Sequence, residues 1–242
     1  MDKQFEKLMR QGSERMGVSL TDVQLEQFYR YFVMLVETNK VMNLTAITEM
    51  EDVVAKHFLD SLALIKVGEN LNREISLIDV GTGAGFPGIP LKIAFPDLQV
   101  TLLDSLNKRV KFLNEVIEQL ELRKISAIHG RAEDFGSNCD YREKYDYCVS
   151  RAVANLSTLS EYCLPFVKVG GRFFAYKSGE VEEEVNFATS AVQKLGGLIT
   201  DIVKFSLIEA EAERSFVVIE KRSITAKRYP RKAGMPSKEP LK

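Results

Sequence analysis

The most constraining stretch of this 242-residue chain is a short apolar run that empties into glycines. Ile75-Ser76-Leu77-Ile78-Asp79-Val80 reads as a buried strand, and Gly81-Thr82-Gly83-Ala84-Gly85-Phe86-Pro87-Gly88 follows it at once. Glycines allow a sharp turn with positive φ and leave main-chain N–H groups open to a ligand. A strand, a glycine turn and a helix in that order belong to a parallel sheet whose ligands sit beyond the carboxyl ends of its strands.

The rest of the chain agrees with that architecture. Gln99 to Leu103, Ile125 to Ile128, Tyr145 to Val149 and Arg172 to Tyr176 are further short strands. Helical patterns lie between strands, over Leu106 to Leu120 with Ser105 as its cap, over Leu156 to Phe166 and over Glu180 to Leu195. Strands alternating with helices predict an α/β fold with helices on both faces of the sheet. Leu198 to Leu207 and Ser215 to Lys221 have no helix between them and read as a closing antiparallel hairpin. Upstream, residues 1–70 are helical. Thr21 and Gln24 have capping-box spacing, Leu25, Phe28, Phe32 and Leu35 share a face, and Met50 to Lys66 repeats the helical period. Three segments are expected: a helical extension (1–70), a ligand-binding α/β domain (71–221) and a tail (222–242).

Charge is unevenly spread. The net charge is −1, but Lys221 to Lys242 holds eight basic residues and one acidic, a local +7 that leaves −8 on the remainder. A basic tail on an acidic body suits phosphate contacts. The longest uncharged stretch, Val80 to Leu91, has 12 residues, short of the about 20 that a spanning helix needs. Cys139, Cys148 and Cys163 form no C-x-x-C pair, which fits a reducing compartment. A cytoplasmic protein, with no membrane partner, is the expectation; no apolar stripe argues for a dimer, so a monomer is expected.

Two ligands compete for the glycine loop. Gly83-x-Gly85-x-x-Gly88 matches the dinucleotide fingerprint, with Asp104 placed for a ribose. Gly81-x-Gly83-x-Gly85 after an acidic strand end matches the loop of S-adenosylmethionine methyltransferases. Asp104 serves either, because both ligands carry an adenosine. Asp79 favours the methyl donor, whose ammonium and sulfonium it would attract, and it would repel a pyrophosphate. Pro87 and Pro90 also occupy positions where a dinucleotide helix would donate N–H groups. The closing hairpin points the same way. A nicotinamide-dependent oxidoreductase remains the alternative.

Other strand ends supply candidates. Gly130-Arg131-Ala132-Glu133 after the third strand is placed to meet an adenine. Arg151 after the fourth and Lys177 at the end of the fifth are candidate positioning groups, and Arg151, a charge among apolar neighbours, needs a partner. No Asn-Pro-Pro-Tyr segment follows the fourth strand, which disfavours methylation of an exocyclic amine. Cys148 lies inside that strand and reads as core. His57 shares a helix face with Val53 and Val54 and reads as a satisfied helix histidine, and no cluster has metal-ligand spacing. No general acid or base stands out. Guanine N7 has a free lone pair and needs none, so catalysis would be mainly positioning.

Taken together, Asn43-Leu44-Thr45, His57-Phe58-Leu59-Asp60-Ser61-Leu62, Asp79 to Leu91, Leu103 to Leu113, Gly130-Arg131-Ala132-Glu133, Ser150-Arg151-Ala152 and Tyr229 to Pro236 resemble one family. It is the small-subunit (16S) ribosomal RNA methyltransferase G family, also called glucose-inhibited division protein B. Two positions depart from its pattern: Met42 stands where a Trp is common, and Ala233-Gly234 where Pro-Gly is common. The resemblance implies a Rossmann-like class I S-adenosylmethionine methyltransferase with a seven-stranded, mostly parallel sheet. It implies methyl transfer from S-adenosylmethionine to N7 of one guanosine in the decoding-region loop of 16S rRNA, as free RNA or in the small subunit. Carried over, the cofactor positions are Gly81, Phe86, Asp104, Ala132, Glu133 and Arg151; the loop itself adds Asp79, Gly83 and Gly85. Arg228, Arg231 and Lys232 are expected on RNA phosphates and Tyr229 on a base. Removing residues 222–242 should then weaken RNA binding and leave cofactor affinity near normal.

Overall fold

The computed structural model describes residues 1–68, 70–152 and 154–242. Helix α1 (Lys3–Arg15) is capped by Asp2, whose carboxylate accepts from the N–H groups of Gln4 and Phe5. Helix α2 (Asp22–Met42) begins with the expected box: Gln24 N–H donates to Thr21 Oγ1 and Thr21 N–H to Gln24 Oε1. It ends at Asn43, which is left-handed. Residues 50–66 form one helical run that changes register: α3 (Met50–Val53), a π-helical stretch (Val54–Leu59), α4 (Asp60–Leu62) and a closing 3₁₀ turn (Ala63–Lys66). Apolar spacing predicts the helix but not the π register within it.

The core element is a seven-stranded sheet. Strands β1 (Ser76–Val80), β2 (Gln99–Asp104), β3 (Ile125–His129), β4 (Tyr145–Ser150), β5 (Val167–Ser178), β6 (Gly197–Leu207) and β7 (Ala212–Lys221) lie in the order 3-2-1-4-5-7-6. Strand β7 runs antiparallel to both β5 and β6, and the other pairs are parallel. The order reverses between β1 and β4, so a crevice opens at the carboxyl end of β1.

Successive strand residues feed opposite faces. Leu77, Val149, Phe174 and Phe216 pack with the first two helices, α5 (Gly88–Ala94) and α6 (Asn107–Gln119). Ile78, Cys148, Phe173 and Val217 pack with α8 (Leu156–Cys163) and α9 (Glu182–Lys194), beside the short α7 (Ala132–Ser137). Burial on both faces explains why these strands read as continuous apolar runs. Cys148 is core, as expected. Helix α6 starts one residue later than predicted: Leu106, not Ser105, precedes it, and the Leu106 N–H is satisfied by Asp104. No helix among the described residues is long and apolar enough to cross a membrane.

Residues 1–70 share one hydrophobic core with the sheet. Phe5, Phe28, Tyr31 and Phe58 belong to the same buried cluster as Ile89, Leu102 and Phe112. Gln24 Nε2 donates to the carbonyls of Ile93 and Ala94 at the end of α5, and the fully buried Tyr31 hydroxyl donates to the carbonyl of Ala84 at 2.5 Å. The extension therefore holds the glycine loop from behind. Tyr31→Phe leaves that carbonyl unpaired, at a cost of about 1–2 kcal/mol. Thermal denaturation should show the melting temperature lowered by about 3–6 °C.

The tail is not loose. Tyr229, Pro230 and Pro236 are buried, and Tyr229 belongs to the cluster under α8. Residues Met235–Lys238 form a last helical turn, α10. The expectation of a tail outside the core is corrected here: Tyr229 packs in the cluster under α8, and Arg231 pairs with Glu161, 70 residues away in sequence, which composition does not reveal.

Candidate functional site

Strand β1 delivers Asp79 to the root of the glycine loop, where it is fully buried. Its Oδ2 accepts from Thr82 Oγ1 at 2.7 Å and Gly88 N–H at 2.8 Å, closing the loop against the start of α5. Its Oδ1 is buried and has no hydrogen-bond partner among the described residues. Burial pushes the Asp79 carboxyl up to about 7. Gly81, Gly83 and Gly85 all have positive φ. A side chain on Gly83 would meet nothing within 4 Å, so its backbone is bare toward the cleft. A Cβ on Gly85 would lie 2.6 Å from both the Tyr31 hydroxyl and Ile89. Gly85 and Asp79 thus face the interior, and the expectation that they contact the cofactor gives way to a structural role.

The cleft over this loop has a volume of about 660 Å³, within the roughly 300–1,000 Å³ range of small-molecule sites. Gly81, Gly83, Phe86, Asp104, Ala132, Glu133 and Arg151 all line it, coming from the ends of β1 to β4. Asp104 accepts from Gly83 N–H at 2.9 Å and Leu106 N–H at 2.9 Å, and Arg109 lies 3.4 Å from it. Its carboxylate therefore ties the loop to the next strand while facing the cleft. Glu133 accepts from the N–H of Gly234 at 2.8 Å, and Gly234 and Ser237 form part of the wall.

Arg151 has the partner its surroundings demand. Its Nη1 lies 3.1 Å from Asp60 Oδ2, and Asp60 Oδ1 also holds Arg214 at 3.0 Å. Arg151 further donates to the carbonyls of Lys56 and His57 in the π-helical stretch and to Ser61 Oγ. Its Nη2 lies 3.3 Å from His57 Nδ1. A guanidinium only donates, so Nδ1 accepts and the ring proton sits on Nε2, which reaches Thr45 Oγ1 at 2.8 Å. The imidazole stacks on Phe86 with ring centroids 4.4 Å apart. Burial and the Arg151 charge bring its pKa down to about 3.

His57 is a satisfied histidine, as read from the sequence, yet it also lines the cleft with Thr45. Neither Asp60 nor Arg214 was among the candidate site residues read from the sequence. Asp60 lies in a matched motif, but spacing alone does not reveal a partner 154 residues away. Lys177 donates to the carbonyl of Ala154 and to Glu184, outside the cleft.

The tail's expected RNA contacts divide. Arg228 lies over the Tyr229 ring at 5.0 Å, and Arg228 and Lys232 are exposed. Tyr229 is only 7% exposed, so it is not free to stack on a base. Arg231 clasps the fully buried Glu161, with Nη2 2.7 Å from Oε2 and its own N–H 2.8 Å from Oε1. Both residues anchor the segment whose Gly234 walls the cleft. With Arg231 and Gly234 both tied to the cleft wall, removal of the tail is now expected to weaken cofactor binding as well as RNA binding.

Comparison with known proteins gives the family from sequence and the fold from structure. The family model for rRNA small subunit methyltransferase G matches residues 24–215. A ribosomal RNA small subunit methyltransferase G from Lachnoclostridium phytofermentans is 55% identical over 96% of this chain and 95% of its own length. One from Acetivibrio thermocellus is 54% identical over 97% and 96%. Among solved structures, fibrillarin, a pre-rRNA processing protein of Methanococcus jannaschii, superposes with a TM-score of 0.51 at 17% identity, over 64% of this chain and 70% of its own. TYW2 of M. jannaschii, solved in complex with AdoMet, does so with 0.50 at 14% identity, over 62% and 70%. These likenesses show the class I methyltransferase fold, and the oxidoreductase reading finds no support among them.

Two measurements test the site. Asp79 binds its proton more tightly when folded, so it contributes stability below its unfolded value of 3.8 that is lost as pH rises through about 7. His57 does the reverse: stability is present above its unfolded value of 6.5 and is lost as pH falls toward about 3. Between these unfolded values the two slopes oppose each other. Asp79→Asn removes one, so its melting temperature should fall more steeply than wild type from pH 6.5 to 4; parallel curves would contradict the assignment. Separately, Arg231→Ala strands the Glu161 carboxylate and should cost about 3 kcal/mol. Adding Glu161→Gln should restore much of that in chemical denaturation.

Proposed function

Because the chain belongs to the rRNA small subunit methyltransferase G family, we propose that it methylates N7 of one guanosine in small-subunit 16S rRNA, using S-adenosylmethionine. The observation that carries this reading is the juxtaposition in one cleft of the bare Gly83 backbone and the Asp104 carboxylate. A cradle that a Cβ would fill, beside an acid at the next strand end, fits an adenosine with its ribose on the acid. Asp104 would hold the ribose, Ala132 and Glu133 the adenine side, and Gly81, Phe86 and Arg151 the rest. When bound, the cofactor supplies an electrophilic methyl group on sulfur.

The chain's own residues then have a limited task. N7 needs no deprotonation, so no side chain has to act as a base. Neutral His57, held between Thr45 and Arg151, fixes Phe86 by stacking. Arg151 is fixed in turn by Asp60 and by two helix carbonyls. Orientation held this rigidly lowers the entropic barrier to in-line transfer. Arg228 and Lys232, with Arg131 at the cleft rim, are the cations we assign to RNA phosphates. The reading places the protein in the cytoplasm, acting as a single chain.

Incubation with labelled S-adenosylmethionine and small ribosomal subunits or 16S rRNA should put label in 7-methylguanosine at one position. The melting temperature should rise with S-adenosylmethionine and stay unchanged with NAD or NADP. Label in any other nucleoside would overturn the substrate assignment.

A further inference from the structure

A second cavity of about 540 Å³ adjoins the cofactor cleft and shares Arg151, Ala152 and Ala154 with it. It lies at the carboxyl ends of β4 and β5, with Asn155 and Tyr176 in its wall. Its two carboxylates are in different states. Both oxygens of Asp60 are engaged by Arg151 and Arg214. Glu184 is engaged through one oxygen only: Oε1 accepts from Leu156 N–H at 2.6 Å and from Lys177 Nζ at 2.8 Å. Among the described residues no partner reaches its Oε2, and the side chain is 31% exposed. Lys177 is itself braced by the carbonyl of Ala154. Glu184 is thus a carboxylate fixed at one corner, with two lone-pair positions open at the other.

Guanine has a matching division of edges. N7 and O6 are acceptors on one edge, whereas N1–H and the 2-amino group are donors on the opposite one. A guanine whose N7 faces the junction with the cofactor cleft turns its donor edge away from that junction. Glu184 lines the second cavity and not the cofactor cleft. Resting on the guanine-N7 reading above, we propose that the second cavity receives the target base and that Glu184 Oε2 accepts hydrogen bonds from its N1–H and 2-amino group. An adenine would set its N1 lone pair against the carboxylate and be rejected. Glu184 is then the residue that selects guanine, and Lys177 positions it.

Inosine, which lacks only the 2-amino group, supplies the test. Small subunits rebuilt with guanosine or inosine at the target position are compared by kcat/KM, and the corresponding RNAs by Kd without methyl donor. Wild type should prefer guanosine about tenfold, the worth of roughly one hydrogen bond in a polar site. Glu184→Gln keeps its amide oxygen on Lys177 and Leu156 and so turns its NH₂ toward the base. Guanosine activity should fall about 10- to 100-fold, the guanosine-to-inosine ratio should collapse to one or below in both measurements, and the Kd for S-adenosylmethionine should not move. If Glu184 only braces Lys177 and α8, both substrates fall equally and the ratio stays, which overturns the proposal. A wild-type enzyme that does not distinguish the two substrates overturns it as well, whatever the stability of the variant. On the guanosine substrate, label outside 7-methylguanosine sinks the parent reading together with this one; label in 7-methylguanosine with an unchanged guanosine-to-inosine ratio sinks this one alone.

Discussion

A glycine loop that lies against a ligand has to be held by something other than its own side chains, and here buried polar groups hold it from three directions. Asp79 grips Thr82 and Gly88 from below, Asp104 grips Gly83 from the neighbouring strand, and Tyr31 grips Ala84 from the N-terminal helices. Each of these contacts is made to the loop itself, so the loop's shape is set before any ligand enters. The cost is visible in Asp79, whose carboxyl is pushed up by the same burial that makes its hydrogen bonds strong. Glycine at position 85 is required by that closeness, since the Tyr31 hydroxyl and Ile89 occupy the space of any side chain.

A second set of tethers joins the cleft to the elements around it. Asp60 comes from the helical extension, Arg151 from the end of β4 and Arg214 from β7, and the two half-buried arginines meet on the buried Asp60 as one ion-paired group. Such a group is a weak source of net stability, because desolvation offsets most of the attraction. It does specify geometry: Arg151 has little freedom when carbonyls of the π-helical stretch and Asp60 hold it at once. The tail closes the opposite wall by similar means, through Arg231 on Glu161 and Gly234 on Glu133. The extension, sheet and tail therefore each contribute to one site.

Most of the fold was legible in sequence for a plain reason. Strands buried on both faces appear as apolar runs, and surface helices repeat their apolar residues at 3.6, so local patterns report them directly. The glycine loop was legible too, as a strand followed by residues chosen for positive φ. What misled was locally ambiguous. A proline-containing basic stretch reads as a tail whether or not a buried Glu161 waits 70 residues away. Ser105 looks like a helix cap until the structure places Leu106 before the first helical residue, with its N–H held by Asp104.

Local pattern was enough for the α/β class, the loop, the acid at position 104 and the family, because each depends on residues close together in the chain or on a matched motif. Which of those residues line the cleft was left to long-range packing. It turned Asp79 and Gly85 inward, brought His57 against Phe86, paired Arg151 with Asp60, and converted Tyr229 and Arg231 from RNA contacts into anchors. The physical reason is that a buried charge or polar group takes whichever partner the folded chain brings within reach, and sequence spacing carries no record of that distance.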